Sequence, residues 1–198
     1  PTPGFELVVT VPEGPHRGIL FADVPERCFF VAGFRLYEWD GVTATARGTL
    51  ASDANPATLC WNGTTGGQLF ITSGDVGYCY DLATNVLSVV LLSGATMGAY
   101  LDGFFLALDA TTALLQISDL LDGMVWDPSQ VALRTAGADP WTWMTVIRRE
   151  IWLGGNRTTE VWNNIGAFPF PFAPIPGAFF ELGSAAPFSA IRDVSPLL

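Results

Sequence analysis

The sequence predicts an all-β fold made of antiparallel, propeller-like blades, and three observations support this prediction. Aromatic residues make up 13% of the chain, which also contains 21 glycines and 14 prolines. This composition is typical of many short strands joined by tight turns. Hydrophobic residues reach 49% against 14% charged residues, which supplies enough apolar surface for a folded core. The third observation is an internal repeat.

The repeat is a hairpin of two apolar, aromatic-rich strands that ends in Asp or Asn. Its four copies occupy residues 28–40, 68–81, 104–119 and 150–163, and they end at Asp40, Asp81, Asp119 and Asn163. Each copy follows a further short strand, at 18–22, 57–61, 96–101 and 142–147. The spacings of 41, 38 and 44 residues resemble the period of about 40–45 residues, with about four strands, of a β-propeller blade.

The repeat predicts one propeller-type domain over residues 1–198, with blades at roughly 15–50, 55–92, 95–137 and 140–165. A Pro/Phe-rich arm is predicted at 166–177, and 178–198 is expected to begin a further blade. Because four blades and a tail do not obviously close a ring, we expect an incomplete propeller from a longer chain. An ordinary β-sandwich with regularly spaced strands is the alternative.

The hairpin turns contain Gly, Asp or Asn, at 32–33, 73–75, 102–103 and 154–156. These residue types tolerate the positive φ angles that tight hairpins need. We therefore expect positive φ angles in all four segments.

The Pro/Phe-rich arm alternates proline with Phe, Ala or Ile. Its four prolines exclude a helix and remove backbone donors, so an extended, polyproline-like segment is predicted. Its apolar side chains are expected to be buried, either against their own domain or against a neighbouring subunit. The candidate subunit-interface residues are Phe168, Phe170, Phe172 and Ile175. The predicted structural core includes Trp126, Trp152 and Trp162.

The charge balance argues against a nucleic-acid-binding protein. Nine arginines and no lysine face 19 acidic residues, for a net charge of −10. Proteins that bind DNA tightly carry a cluster of basic residues on one surface, whereas here only Arg148 and Arg149 are adjacent. We expect passing contact with DNA and no high-affinity binding. No apolar stretch is long enough to span a membrane.

Few residues could support catalysis. The one histidine, His16, lies in a loop-like context without a nucleophile elbow. Cys28, Cys60 and Cys79 have no metal-ligand spacing, so we expect buried free thiols. Residues 118–126 resemble the Asp-box turn of sialidase propellers, but their Ser, Asp and Gly are misplaced. The sequence therefore predicts no catalytic residue, no metal ligand and no cofactor.

Three blocks in order, at 117–127, 149–163 and 171–189, resemble the packaged-DNA-stabilisation or tail-hub (tail accessory, nozzle-like) proteins of short-tailed bacteriophages. The resemblance implies a homo-oligomeric ring below the portal that forms part of the channel for retaining and ejecting DNA. It implies portal or adaptor proteins and distal tail proteins as partners, and no catalytic residues.

These observations predict a structural virion protein of a phage tail, assembled in the host cytoplasm, and not an enzyme. The alternative is a carbohydrate-binding propeller module for receptor or glycan recognition. A glycoside hydrolase ranks after it, because the aromatic-rich sequence lacks the arginine and carboxylate pattern of such sites.

Overall fold

The computed structural model describes residue 4 and residues 7–23, 26–134 and 136–190, and this part of the chain forms four antiparallel sheets of four strands each. The first sheet contains β1 (His16–Asp23), β2 (Glu26–Ala32), β3 (Arg35–Trp39) and β4 (Ala44–Thr49), and the second contains β5 (Thr58–Trp61), β6 (Gln68–Ser73), β7 (Val76–Asp81) and β8 (Val86–Val89). The third contains β9 (Met97–Leu101), β10 (Phe104–Asp109), β11 (Leu114–Ile117) and β12 (Val131–Leu133), and the fourth contains β13 (Trp143–Ile147), β14 (Glu150–Gly154), β15 (Thr159–Asn164) and β16 (Phe172–Phe180). A single helical turn, α1 (Gly63–Gly66), and a 3-10 turn at Pro187–Ser189 complete the described elements.

Each sheet is a meander, in which strands that follow one another in the chain are hydrogen-bonded neighbours. The first strands of successive sheets touch, β1 with β5, β5 with β9 and β9 with β13. The sheets therefore succeed one another around a shared inner side, which is the arrangement of propeller blades. The prediction of an all-β fold with repeated four-stranded blades is confirmed, and the described sheets do not merge into the two layers of a sandwich.

The core lies between consecutive sheets. Phe29 of the first sheet contacts Tyr80 of the second edge-on, with ring centroids 5.4 Å apart. Phe70 and Phe105 meet between the second and third sheets, 5.5 Å apart. Because the middle strands of the inner blades are covered on both faces, they are apolar at successive positions, as in residues 105–108, which are all buried. The resulting apolar runs resemble those of other sheets that are covered on both sides.

In the first two sheets, the Asp that marks the repeat holds the turn from the third strand into the fourth. Asp40 accepts hydrogen bonds from the N–H groups of Val42 (2.8 Å) and Thr43 (2.7 Å) through Oδ1. Asp81 accepts in the same way from the next turn, from Ala83 (3.0 Å) and Thr84 (2.6 Å). This side-chain geometry is the Asx-turn. Because the same turn occurs at the same point of both sheets, an Asp recurs there at the spacing of one blade.

The last two sheets depart from this pattern. In the fourth, the capping residue is Asn164, one position after the predicted Asn163, and its Oδ1 accepts from Gly166 N–H (2.9 Å). In the third, Asp119 forms an isolated bridge with Asp122. The longer connection there, residues 118–130, keeps Asp119 from capping a simple turn.

Positive φ angles occur in the first three predicted turns, at 33, 74–75 and 102–103. The expectation for 154–156 is wrong, because none of these residues has a positive φ. Gly155 instead donates to the carbonyl of Thr158 (2.9 Å), which closes a wider turn. The two-residue turn of the fourth sheet lies one hairpin earlier, where Arg148 (φ 50°) and Arg149 (φ 66°) are both left-handed.

The fourth blade extends beyond the predicted limit of residue 165. Residues 172–177 of the predicted arm, together with 178–180 of the predicted further blade, form β16, the outermost strand of the fourth sheet. Prolines are tolerated in this position because an edge strand and its bulges need fewer backbone donors. In the rest of the predicted further blade, the described residues 181–190 contain a 3-10 turn at Pro187–Ser189 and no strand, and residues 191–198 lie outside the described part of the chain. Among the described helices, none has the length and apolar character to cross a bilayer.

Candidate interaction surface

The connection between β15 and β16, residues 165–171, projects from one end of the fourth blade. Phe168 is 93% exposed at its tip, and Ile165 is 58% exposed. The loop is closed by a hydrogen bond from Ile165 N–H to the carbonyl of Pro171 (2.8 Å). A large aromatic ring is thus presented to solvent on a connection held at both ends.

The second half of the same segment points inward. Phe172 is 3% exposed and contacts Phe104 of the third blade edge-on, with centroids 5.9 Å apart. Phe170 is half-buried and lies 5.9 Å from Phe172. The sequence placed both at a subunit interface, but Phe172 belongs to the core between the third and fourth sheets because its strand pairs with β15. Phe170 packs against that core.

Ile175 lies in an irregularity of β16 and is half-buried. The register pairs Trp162 with Pro174 and then Glu160 with Phe179, so residues 175–178 form a bulge. Extra residues in one strand of a pair bend it away from the ladder. The bulge separates the inner part of β16 from Phe179 and Phe180, which are 39% and 41% exposed.

A groove of about 510 Å³ lies beside Phe168. One wall is the connection between β11 and β12, with Asp119, Leu120 and Asp122, and the other is the 167–171 segment. The two blades are tied together at this end by Asp102, which pairs with Arg149 (2.8 Å) and accepts from Asn164 Nδ2 (3.1 Å). The groove and the exposed Phe168 therefore belong to one surface, which we call the loop end.

Comparison with known proteins identifies the family. The model of the Phage_stabilise family, described as bacteriophage P22 Gp10, beta-propeller, matches residues 1–193. The chain belongs to the Phage_stabilise family. Membership indicates a structural protein of the phage virion and favours a non-enzymatic role, and it agrees at family level with the resemblance seen in the sequence.

Two solved structures share the fold of this Phage_stabilise chain. One is PorZ, a bacterial surface component of the type-IX secretion system of Porphyromonas gingivalis, with a TM-score of 0.57 and 15% identity over 83% of the chain. The other is the N-terminal domain of Nup159, with a TM-score of 0.52 and 12% identity over 88% of the chain. The chain spans 22% and 46% of their respective lengths. At these identities only the fold is shared, and no curated protein matches the sequence.

The predicted core tryptophans of this Phage_stabilise chain differ in burial. Trp162 is 4% exposed and meets Trp141 edge-on at 5.5 Å. Trp152 is half-buried on the other face of the fourth sheet, stacked on Phe180 at 5.7 Å. Trp126 is also half-buried and donates from Nε1 to the carbonyl of Gly123 (2.8 Å). The sequence interpretation missed Trp141, which is fully buried although it lies in a connection between blades.

The residues considered for catalysis lie apart. His16 stacks on Phe30, with centroids 5.9 Å apart. Ser118 is buried and accepts from Phe105 N–H (3.0 Å), so its hydroxyl serves the turn. Arg148 and Arg149 lie at the opposite end of β14 from Arg157, which prevents the convergence of arginines that a sialidase-like site requires.

The thiols are buried or half-buried and free. Burial raises the pKa of Cys28 and of Cys60, and it raises that of Cys79 to about 12. A thiol with a raised pKa holds little thiolate at neutral pH, and the thiolate is the nucleophile and metal ligand. The described residues contain no group of three or more His, Cys, Asp or Glu placed to hold a metal ion.

An apolar pocket of about 320 Å³ lies on the open face of the first blade. Phe30 and Trp39 line it together with valines of residues 8–11. Its carboxylate, Glu13, is paired with Arg35 (2.7 Å) and accepts from the hydroxyl of Tyr37. Sugar sites combine an aromatic platform with several free polar groups, so this pocket does not favour the carbohydrate-binding alternative.

Proposed function

We propose that this protein is a structural component of a short-tailed phage tail hub or nozzle. In this role its subunits form a ring around the channel that retains and then ejects the packaged DNA. Family membership supports a virion role, and the observation that carries the proposal further is Phe168. Phe168 (93% exposed) and Leu120 (62% exposed) line one groove, and Ile165 (58% exposed) lies in the same connection as Phe168. Such a cluster of large exposed apolar side chains is typical of a contact site.

The ring contact is proposed at the loop end. Phe168 is held in a connection rich in proline, so docking orders few new degrees of freedom and costs little entropy. Each loop end meets a different surface of the next subunit, and such a head-to-tail contact closes into a ring by rotation. Portal or adaptor proteins on one side and distal tail proteins on the other are the proposed partners, and assembly occurs in the host cytoplasm.

The proposed contact with DNA is a passing one. The net charge is −10, and the adjacent Arg148 and Arg149 do not form a free basic patch, because Arg149 pairs with Asp102 at 2.8 Å. An acidic wall repels the phosphate backbone and lets DNA move without sticking.

The ring is tested by measuring the mass of the purified protein over a range of concentrations. We expect an oligomer for the parent protein and much weaker association for Phe168→Ser. Leu91→Ser is the matched control, since Leu91 is also 93% exposed but lies outside the loop end. Deleting 166–177 is not a clean test, because it removes the buried Phe172. A parent that stays monomeric at high concentration, or equal loss in both variants, contradicts the proposal.

The conduit role is tested separately by incubating the protein with duplex DNA at near-physiological salt. We expect no retention. Micromolar or tighter binding that falls steeply as salt rises would show phosphate contacts and would contradict passive passage.

A further inference from the structure

Two carboxylates, those of Asp119 and Asp122, line the groove beside Phe168. Within the described residues, the carboxylate of Asp119 has no hydrogen bond or ion pair. Gln130 Oε1 is buried with no donor. Asp122 Oδ1 accepts from Met124 N–H at 2.9 Å and from Gln68 Nε2 at 3.4 Å. Asp119 is half-buried and accessible from the groove, so an occupant that brings a positive charge and N–H donors to its carboxylate is stabilised there.

The rim of the groove is apolar. Leu120 is 62% exposed and Phe168 is 93% exposed, on opposite walls. An occupant that fits both features has an apolar stem and ends in several donors. Arginine is the side chain of this kind, with methylene groups that cover apolar surface and five N–H donors.

The chain itself contains exposed arginines that could supply such a side chain. Eight arginines lie in the described residues, and six of them pair with carboxylates of their own chain. The other two, Arg148 and Arg157, are exposed and have no such partner in the described part. Arg157 lies in the turn between β14 and β15, at the opposite end of the blade from the groove. Gly183 packs against the backbone of Arg157, and the preceding residue, Leu182, is 75% exposed.

We infer that the groove receives Arg157 of a second copy of this chain, with Leu182 packing against the apolar rim. Arg157 is too far along its own blade to fill its own groove, so the pairing joins two different surfaces of two molecules. That is the head-to-tail contact which a ring requires. The inference rests on the proposed ring, and it adds the identity of the two groups that meet.

Charge reversal tests the pairing in the full chain. Asp119→Lys and Arg157→Glu are each expected to weaken association by about tenfold or more, because each places like charges in contact. Asp127→Lys and Arg148→Glu are the matched controls, since they make the same charge changes in the same loop or at the other free arginine. The double variant Asp119→Arg with Arg157→Asp is expected to recover most of the association. Thermal unfolding of each variant checks that it is folded.

The possible outcomes separate the two proposals. If Phe168→Ser weakens the ring while Asp119→Lys and Arg157→Glu do not, the ring stands and the arginine pairing is wrong. If Arg148→Glu weakens association instead of Arg157→Glu, the assignment to Arg157 is overturned. Failure of the double variant to recover association also overturns it. A parent protein that remains monomeric rejects the ring and the pairing together.

Discussion

The second and fourth blades use the same inner hairpin but connect it differently to the outer strand. In the second, the chain passes from β7 to β8 within residues 82–85, and the Asp81 carboxylate holds that turn with three hydrogen bonds. In the fourth, residues 165–171 separate β15 from β16, and Asn164 supplies one hydrogen bond. The inner hairpin is therefore the part that the two blades share, and the connection to the outer strand is free to differ and to present a side chain.

The two outer strands differ accordingly. β8 has four residues, whereas β16 has nine and contains a bulge. Phe172, at the start of β16, is buried, and Phe168, four residues earlier, is 93% exposed. One short segment thus combines an anchor within the fold with a side chain available to a partner.

The largest expected effect tests what the two blades share. Tyr80 pairs with Leu69 in the second blade as Trp162 pairs with Ile151 in the fourth, and both aromatic residues are buried. We expect Tyr80→Ala and Trp162→Ala each to lower the free energy of unfolding by about 3–5 kcal/mol, because each leaves a cavity in the core. Denaturant unfolding measures this. A Trp162→Ala protein as stable as the parent would contradict the shared core.

The next prediction contrasts the two ends of the Pro/Phe segment. Phe172→Ala should cost about 3–4 kcal/mol, since its ring lies in the core between the third and fourth blades. Phe168→Ala should change the free energy of unfolding of the monomer by less than about 0.5 kcal/mol, since its ring is in solvent. Equal losses in denaturant unfolding would mean that the loop end is part of the core.

A smaller effect is expected at the capping residues. Asp81→Ala removes an acceptor that serves three donors and should cost about 1–2 kcal/mol, whereas Asn164→Ala should cost about 0.5–1 kcal/mol. Asp81→Asn keeps an acceptor oxygen and serves as the control. If Asn164→Ala proved the more damaging of the two, the fourth connection would be more tightly held than its hydrogen bonds indicate.

The last prediction concerns pH and belongs to the fourth blade. Burial works to raise the pKa of Asp139, but hydrogen bonds from the Thr158 hydroxyl (2.5 Å) and from the N–H groups of Arg157 and Thr158 outweigh it and lower the pKa to about 2. A folded-state pKa below the ordinary value of 3.8 contributes stability above pH 3.8 and loses it as the pH falls toward 2.

Thermal unfolding between pH 5 and about pH 2 checks this contribution. The parent should lose more stability over that window than Asp139→Asn, which cannot be protonated. Parallel curves for the two proteins would show that the turn at 155–158 does not depend on the ionised carboxylate.

Several features of the fold were predictable because they depend on neighbouring residues. Asp40 and Asp81 each cap a turn whose N–H donors lie two and three residues later in the chain. A local sequence pattern is therefore enough to reveal these turns. The apolar runs of the middle strands are equally local, since both faces of each strand are covered. Spacing and composition together were therefore sufficient for the all-β, blade-repeated fold.

Other features depend on contacts between residues that are distant in sequence. Proline at 174 and 176 predicted an extended arm without ladder hydrogen bonds, and only the pairing of Trp162 with Pro174 places this segment at the edge of the fourth sheet. The pattern of alternating Pro and Phe is the same on both sides of Pro171, so it could not separate the buried Phe172 from the exposed Phe168. Trp141 was missed for the same reason, because a connecting residue is buried only by what packs over it.

The sequence by itself determined the blade repeat, the acidic character and the absence of a recognisable catalytic pattern, since each is a property of composition or of short-range spacing. The tertiary structure alone decided which surface is available to a partner. Asp119, Gln130 and Phe168 meet at one groove because the third and fourth blades lie side by side, and no spacing along the chain encodes that distance.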